Sequence, residues 1–407
     1  MKVKYEDRLK QKLLAITTDT LVVGVDIAKN YQWARFVDFR GIEHSRALKF
    51  KNRKGGFEAI LARIREGKYM NSKKIISLIG TVVLLLACLI GTTDLVQAKE
   101  KGSNDFCSRY VAVGDKRVHI AMYGAIDENS KDFFDTSKTT MVMLPGLGVP
   151  SPHLYFKPLA QALEKDFNIV IVEPLGYGLS DLTETDRTVQ NMNAELNNVL
   201  EALRIEECVL LVHSISGVYG LNFTYDYPEK VKGFIGVDNT VYADELAASM
   251  EWEKEYALQG IKEFQNLRAS FPSIEAFQNA LRAEPEKYGA TLPEIEGYTY
   301  PDTDKEEYIQ AYSMSNNDTI KSEVNHMEES LLSIRDKKFP SGLPVLTMIC
   351  SENVENMPVW ETAHREQLDF ESGNHQLYTV KGGHYIWYTN LDEVVRYIQD
   401  WRVENHF

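Results

Sequence analysis

The chain has 407 residues, enough for one large α/β domain with insertions or for two or three domains. Its formal net charge of −14 is unevenly spread: residues 1–69 hold 16 Lys+Arg against 8 Asp+Glu, and residues 70–407 hold 29 against 51. So acidic a body excludes phosphate-backbone binding as its main task, and four cysteines scattered at 88, 107, 208 and 350 exclude a disulfide framework or a cysteine metal knot.

In chain order, the basic head comes first. Leu21–Val25 is an apolar run ending at Asp26, Trp33–Asp38 and Ala47–Phe50 flank the turn signal Arg40-Gly41, and Phe57, Ile60, Leu61 and Ile64 recur at helical spacing. The expectation is strand, hairpin, strand, then an amphipathic helix. "VGVDIAKN" and "KFKNRKGGFEAI" resemble the amino-terminal part of DEDD-type insertion-sequence transposases, which have an RNase H-like fold, over about residues 20–66. That resemblance makes Asp26 the first of four metal-binding carboxylates. The other three have no counterpart, and one carboxylate cannot clamp two metal ions. The head is therefore expected to be a truncated β-hairpin and helix fragment, residues 1–69, that does not cleave DNA and in which Asp26 is vestigial; its basic charge leaves weak, salt-sensitive DNA binding open, whereas no functional nucleic-acid binding is expected from the body.

Residues 70–98 read differently. Asn71-Ser-Lys-Lys74 is a basic stretch, no charge interrupts the nineteen positions Ile75–Thr93, and Val96-Gln97-Ala98 supplies small residues where a signal peptidase cuts. The expectation is a secretory signal peptide or, if uncleaved, a membrane anchor helix over 75–93, with Met70 as a start in its own right. The protein is accordingly expected to be exported, extracellular or anchored to a bacterial cell membrane.

The remainder, 99–407, alternates short apolar runs with helix-length segments: Met141–Leu144, Ile169–Val172, Val209–Val212, Phe234–Val237, Val345–Ile349 and Leu377–Val380. A hairpin, Arg109–Val113 and Val118–Tyr123, precedes them. Near-continuous apolar strands with helical crossovers imply a mostly parallel sheet covered by helices on both faces. Between the strands Phe234–Val237 and Val345–Ile349 lies a charged, helix-rich insertion, about 241–340. It is dotted with aromatics (Trp252, Tyr256, Phe264, Phe271, Phe277, Tyr288, Tyr298, Tyr300, Tyr308 and Tyr312), most of them expected to form its own core.

Chemistry is expected at the strand ends. "CVLLVHSISGVYGL" runs from strand to helix through Ser214, a serine with small neighbours on a sharp turn. "KGGHYI" places His384 after a strand and a Gly-Gly turn, where an imidazole could take a serine proton and pass it on. His44, His119, His153, His213, His326, His364, His375 and His406 lack that setting. Two carboxylates compete to orient the imidazole: Asp238 at the end of "VKGFIGVDNT", favoured, and Glu352 in "TMICSENVENMP", with Glu355 behind it. "PGLG" at 145–148 follows a strand, so backbone N–H groups of Leu147 and Ile215 could converge on a carbonyl oxygen.

Four motifs in order, PGLG, EPLGYGLSD, VHSISG and KGGHYI, resemble the α/β-hydrolase superfamily over about residues 105–405. The resemblance implies a helical cap in the 241–340 insertion, Ser214 as nucleophile, His384 as base, Asp238 or Glu352 as acid, and Leu147 and Ile215 as oxyanion donors. It departs at Val212, where the usual G-x-S-x-G pattern has glycine, and at Asn353, where many relatives carry the acid. Serine at the nucleophile position speaks against haloalkane dehalogenases and epoxide hydrolases, which use Asp there. The expected activity is a serine hydrolase acting on a small or medium carboxylic ester, or an amide, through an acyl-enzyme and without a cofactor or metal. The alternative is a low-turnover ligand-binding or signalling protein on the same fold, behind a non-functional transposase relic.

Overall fold

The apolar runs of the body pair into one sheet because each is buried on both sides. β5 (Phe106–Val113) and β6 (Lys116–Tyr123) form the hairpin, followed by β7 (Thr139–Leu144), α1 (Pro152–Leu163), β8 (Phe167–Glu173), α2 (Val189–Ala202), β9 (Cys208–His213), α3 (Ser216–Asp226) and β10 (Val231–Val237). These strands follow three in the head, β1 (Thr20–Asp26), β2 (Tyr31–Val37) and β3 (Leu48–Lys51), and a fourth just after it, β4 (Lys74–Ile76). The structure, a computed structural model, describes residues 20–26, 31–37, 48–51, 74–76, 106–124, 134–295 and 297–407. It divides into two units, Met1–Leu95 and Val96–Phe407.

In the first unit the strand order is β3-β2-β1-β4. β1 pairs antiparallel with β2, from Val22↔Val37 to Asp26↔Trp33, so the expected strands are present and Asp26 ends the first of them. The helix expected after Phe57 lies outside the described residues. So does most of the expected anchor, and its first residues differ from expectation. Lys74–Ile76 is a short strand running parallel to β1, with Thr20↔Lys74 and Val22↔Ile76 paired, as suits the β-branched Ile75-Ile76 pair. Among the described residues no helix is long and apolar enough to cross a membrane.

The second unit continues through α4 (Asp244–Ala269), α5 (Ile274–Ala283), a helical turn at Pro285–Tyr288, α6 (Asp302–Met314), α7 (Asp318–Asn325) and α8 (Met327–Leu332). It closes with β11 (Val345–Cys350), α9 (Ser351–Asn356), α10 (Trp360–Gln367), β12 (His375–Val380) and α11 (Leu391–Glu404). The eight strands order as β12-β11-β10-β9-β7-β8-β6-β5. β5, β6 and β8 pair antiparallel, and the other neighbours are parallel. The order reverses around β7, and a crevice at the carboxyl ends of the strands beside such a switch point is where open α/β sheets bind ligands.

Alternation within each strand divides the core. Val142, Val170, Leu210, Val212 and Phe234 face a cluster closed by α2 and α3, with Leu196, Val199 and Val218. Met141, Ile169, Val209, Leu211 and Ile235 face the other, closed by α1 and α11, with Leu154, Leu159, Val394, Ile398 and Trp401. Each fully buried aliphatic chain contributes about 1.5–3 kcal/mol. Capping sets where the helices begin: Ser151 Oγ accepts from Leu154 N ahead of Pro152, and Thr188 does the same for α2. Cys208 and Cys350 are buried free thiols, and burial pushes that of Cys208 up to about 12.

Helices α4–α8 fill the expected cap region. Phe277, Leu281, Ala290 and Ile309 form its core, with Phe264, Phe271, Tyr288 and Tyr312 packed against them. Tyr300 and Tyr308 instead join the sheet cluster beside α1. Trp252 and Tyr256 depart from expectation: they are 54% and 48% exposed on α4 and stack on each other.

Candidate active site

β9 is buried at all six positions, so its end delivers the next residue to a fixed point in the switch region. That residue, Ser214, has φ of +56°, a left-handed conformation that costs a non-glycine residue about 1–3 kcal/mol. Two N–H groups hold the turn: Gly217 N and Thr240 N both donate to Ser214 O, at 2.9 and 2.8 Å. Position 217 must be glycine, because a Cβ there would lie 2.7 Å from Asn239 Cβ and 2.9 Å from Thr240 O. Val212, the departure from the usual pattern, is accommodated from the helix side. A Cβ at Gly220 would fall 2.9 Å from Val212 Cγ1, so the space a small residue normally leaves on the strand is supplied by α3.

His384 Nδ1 donates to Asp238 Oδ2 at 2.6 Å. Asp238 is fully buried at the end of β10 with φ of +42°. Its carboxylate also accepts from Asn353 Nδ2 at 2.6 Å, Cys350 N at 2.9 Å and Trp360 Nε1 at 3.0 Å. Burial alone would raise this carboxyl, but the His384 hydrogen bond and charge, with the Cys350 N–H, hold it below its ordinary value. The structure therefore joins His384 to Asp238 and leaves the other candidate acids apart. Glu352 sits in the first turn of α9, where its backbone N–H reaches Gly382 O at 3.2 Å, and Glu355 is exposed. Among the described residues neither Glu352 nor Glu355 bonds His384, so Glu352 is corrected as a triad candidate. Asn353 explains why: at the place many relatives give to the acid, this chain has an amide that donates to Asp238 instead.

His213 was passed over on sequence, yet it touches the site. Its ring lies 4.4 Å from that of His384 and 4.6 Å from that of Tyr385. Its Nε2 faces His384 O at 3.1 Å, so that nitrogen carries the proton. Burial, reinforced by the charge of His384, pushes its imidazole well below the ordinary value and keeps it neutral. Trp360, buried at the start of α10, was also missed; a single Trp opening a polar helix gives no signal.

The Pro145–Gly148 loop crosses directly beside Ser214. A Cβ on Gly146 would come within 2.9 Å of His213 Nδ1 and 3.0 Å of Ser214 Cβ, so only glycine fits. Ser216 Oγ donates to Pro145 O, tying the helix start to the loop. Gly148 N donates to Tyr177 Oη at 3.2 Å. Among the described residues the N–H groups of Leu147 and Ile215 have no acceptor, as donors awaiting a ligand oxygen would require.

The remaining motif, EPLGYGLSD, serves as an anchor. Glu173 is fully buried and accepts from His119 Nδ1, His153 N and Leu179 N at 2.9, 3.1 and 2.8 Å. Asp181 pairs with Arg117. Ser108 Oγ lies 2.6 Å from His119 Nε2, which completes a second Ser–His–carboxylate chain at the sheet edge. Its carboxylate is already committed to fastening the 173–179 turn. Among the described residues no group of three or more His, Cys, Asp or Glu is arranged to hold a metal ion; the side chain of Asp26 lies outside the described residues.

Comparison with known proteins agrees with this geometry. Residues 139–292 match the family described as alpha/beta hydrolase fold. The uncharacterized protein YbdG of Bacillus subtilis is 28% identical over 104 residues, 25% of this chain and 32% of that protein. The 2-(acetamidomethylene)succinate hydrolase of Mesorhizobium japonicum is 23% identical over 192 residues, 46% of this chain and 64% of that enzyme. The chain thus spans from about a third to just under two thirds of the length of these relatives. Among solved structures, the Cif epoxide hydrolase from Acinetobacter nosocomialis superposes with a TM-score of 0.52 at 14% identity, covering 74% of this chain and 90% of that one. The family match falls in the second unit, and these comparisons lend no support to the transposase resemblance of the head. From β5 onward the chain has the alpha/beta hydrolase fold.

Proposed function

We propose that this protein is a serine hydrolase that cleaves small or medium carboxylic esters, or amides, through an acyl-enzyme. The observation that carries the reading is the 2.6 Å Asp238–His384 pair, with Ser214 held at φ +56° at the end of the strand adjacent to the one that delivers Asp238. His384 Nε2 takes the Ser214 hydroxyl proton as Oγ bonds to the carbonyl carbon. The carbonyl oxygen becomes an oxyanion held by the Leu147 and Ile215 N–H groups. When the tetrahedral intermediate collapses, the bond to the leaving alcohol or amine breaks and His384 returns the proton to it. Water then repeats the sequence on the acyl-enzyme and releases the acid. Asp238 stays ionised throughout, stabilising the imidazolium and fixing its tautomer. An ester fits a serine nucleophile better than an epoxide, whose opening would leave an alkyl ether that water cannot readily cleave. Residues 75–93 would export the hydrolase or hold it at a membrane.

The test is fluorophosphonate labelling of the full chain beside its Ser214→Ala variant. Labelling of the wild type that the variant loses is the expected result. A folded wild type that does not label would turn the reading to a ligand-binding protein on this fold. Label retained in the variant and mapped to Ser108 would move the chemistry to the Ser108–His119–Glu173 chain.

A further inference from the structure

α7 of the cap is fastened to the 176–187 segment along its whole length. Its N-cap Asn317 donates to Gly176 O at 2.7 Å, Thr319 Oγ1 accepts from Thr183 N and donates to Thr183 O, and Arg187 N donates to Ser322 Oγ at 3.1 Å. The next residue, Glu323, has no exposed surface. Its two oxygens accept from two tyrosines of the body: Tyr177 Oη at 2.6 Å on Oε2, and Tyr219 Oη at 2.9 Å on Oε1. The nearby guanidinium of Arg187 bonds Glu195 instead. Burying a carboxylate without a cation bonded to it is costly, so the placement calls for a reason.

The two tyrosines supply it. Tyr177 gives its proton to Glu323, which turns an oxygen lone pair toward Gly148 N–H, next to Leu147. Tyr219 lies on α3, one turn after Ile215 and Ser216. Among the described residues the N–H groups of Leu147 and Ile215 have no acceptor. They belong to separate segments, the loop after β7 and the start of α3; Glu323 is linked to the first through Tyr177, which accepts from Gly148 N, and to α3 through Tyr219.

We propose that Glu323 is a positioning residue: from the cap, through Tyr177 and Tyr219, it sets the spacing of the Leu147 and Ile215 N–H groups that receive the developing oxyanion. Docking of α7 and assembly of the oxyanion hole are then one event, because lifting α7 removes the acceptor that orients Tyr177. The catalytic part of this inference rests on the serine-hydrolase reading; the clamp itself does not.

The experiment uses the full chain with Glu323→Gln, Tyr177→Phe and Tyr219→Phe. Rates on p-nitrophenyl acetate are normalised to sites titrated with fluorophosphonate, which removes any contribution from misfolded protein. Losing one oxyanion donor costs about a hundred- to thousandfold, and displacing one by about 1 Å costs up to about a hundredfold. The expected result is therefore a kcat per titrated site lower by about ten- to a hundredfold in Glu323→Gln and Tyr177→Phe, with KM within about threefold. Affinity for a trifluoromethyl ketone, whose adduct needs the hole, should fall in the same proportion. A merely structural role would lower the titre and leave kcat per site and ketone affinity unchanged, which overturns the proposal. Amide hydrogen exchange gives a readout independent of activity. Exchange at Gly148 should rise about tenfold or more in Tyr177→Phe while β7 is unchanged, and equal exchange in the two proteins also overturns the proposal. If the wild type neither labels nor turns over, the hydrolase reading fails and exchange alone decides the clamp.

Discussion

Replacing Asp238 with Asn tests the site most sharply, because it removes a charge and leaves the shape. The native carboxylate accepts four hydrogen bonds and donates none. An amide can accept on one side only. If its NH2 replaced Oδ1, it would meet Cys350 N–H and Trp360 Nε1–H, two donors that cannot be reversed. The NH2 must therefore take the Oδ2 position, facing Asn353 and His384. Asn353 can flip to offer its oxygen. His384 can only respond by turning Nδ1 into an acceptor, which puts its proton on Nε2, where it must instead receive the proton of Ser214. The same exchange in a serine protease triad costs about 10⁴ in kcat, and a comparable loss is expected here. The stability cost should be smaller, about 1–3 kcal/mol for the weakened buried bonds. Initial rates on p-nitrophenyl acetate, set beside thermal melts, separate the two effects. Glu352→Gln is the control and should stay within about twofold of wild type, since it leaves the Asp238–His384 pair untouched. An Asp238→Asn variant that melts normally and keeps activity within tenfold of wild type would refute the tautomer argument.

Two further outcomes are expected. Gly220→Ala places a methyl group 2.9 Å from both Val212 Cγ1 and Phe234 Cε2, so it should destabilise by about 1–3 kcal/mol. Because Val212→Ala frees one of those contacts, the double variant should be more stable than the sum of the singles, by urea denaturation; strict additivity would show that Val212 is not what Gly220 accommodates. Glu323 makes a pH prediction. Burial raises its carboxyl despite the opposing influence of Tyr177, Arg187 and Tyr219, with Glu195 adding to the rise. A raised folded-state value means its contribution to stability is full below the unfolded value of about 4.3 and is lost as pH rises through the folded value. The stability of wild type relative to Glu323→Gln should therefore fall between about pH 4 and the raised value. A constant difference across that range, measured by urea midpoints, would contradict it. The loss of Asp238 stability at acid pH is common to both proteins and cancels.

The strands were legible because burial on both faces leaves an uninterrupted apolar signature. Ile169–Val172, Val209–Val212 and Val345–Ile349 all lie within observed strands that extend by only a few residues. Ser214 and His384 were legible from the turns that carry them, since a strained strand-to-helix corner needs small residues and a loop ahead of a helix needs its glycines. The choice between Asp238 and Glu352 was half legible. Asn at position 353 disfavours an acid after β11, but only the fold shows that the same Asn becomes a donor to Asp238. His213 was hidden by its own adjacency to the serine, where sequence cannot say whether its ring turns into the sheet or toward His384.

Glu323 was illegible for a physical reason. In "DTIKSEVNHMEES" it is one acid among several on a charged cap segment, and on periodicity alone such a residue belongs to the solvated face. Its neighbours are Tyr177 and Tyr219, 146 and 104 residues away in sequence. Each of these is separately read as an apolar turn or helix residue. Long-range pairing of this kind leaves no local pattern, because all three partners satisfy their own elements without it. What marks the position is the combination of complete burial, two phenolic donors and a cation turned to another carboxylate. Through the two tyrosines it also links the cap to Gly148 N and to α3. Hydrogen bonds hold the cap to the body at α7 and, through Asp304–Lys157 and Glu307–His153, at α6 as well, so intolerance to change is expected in α6 and α7 and variation in specificity in α4 and α5.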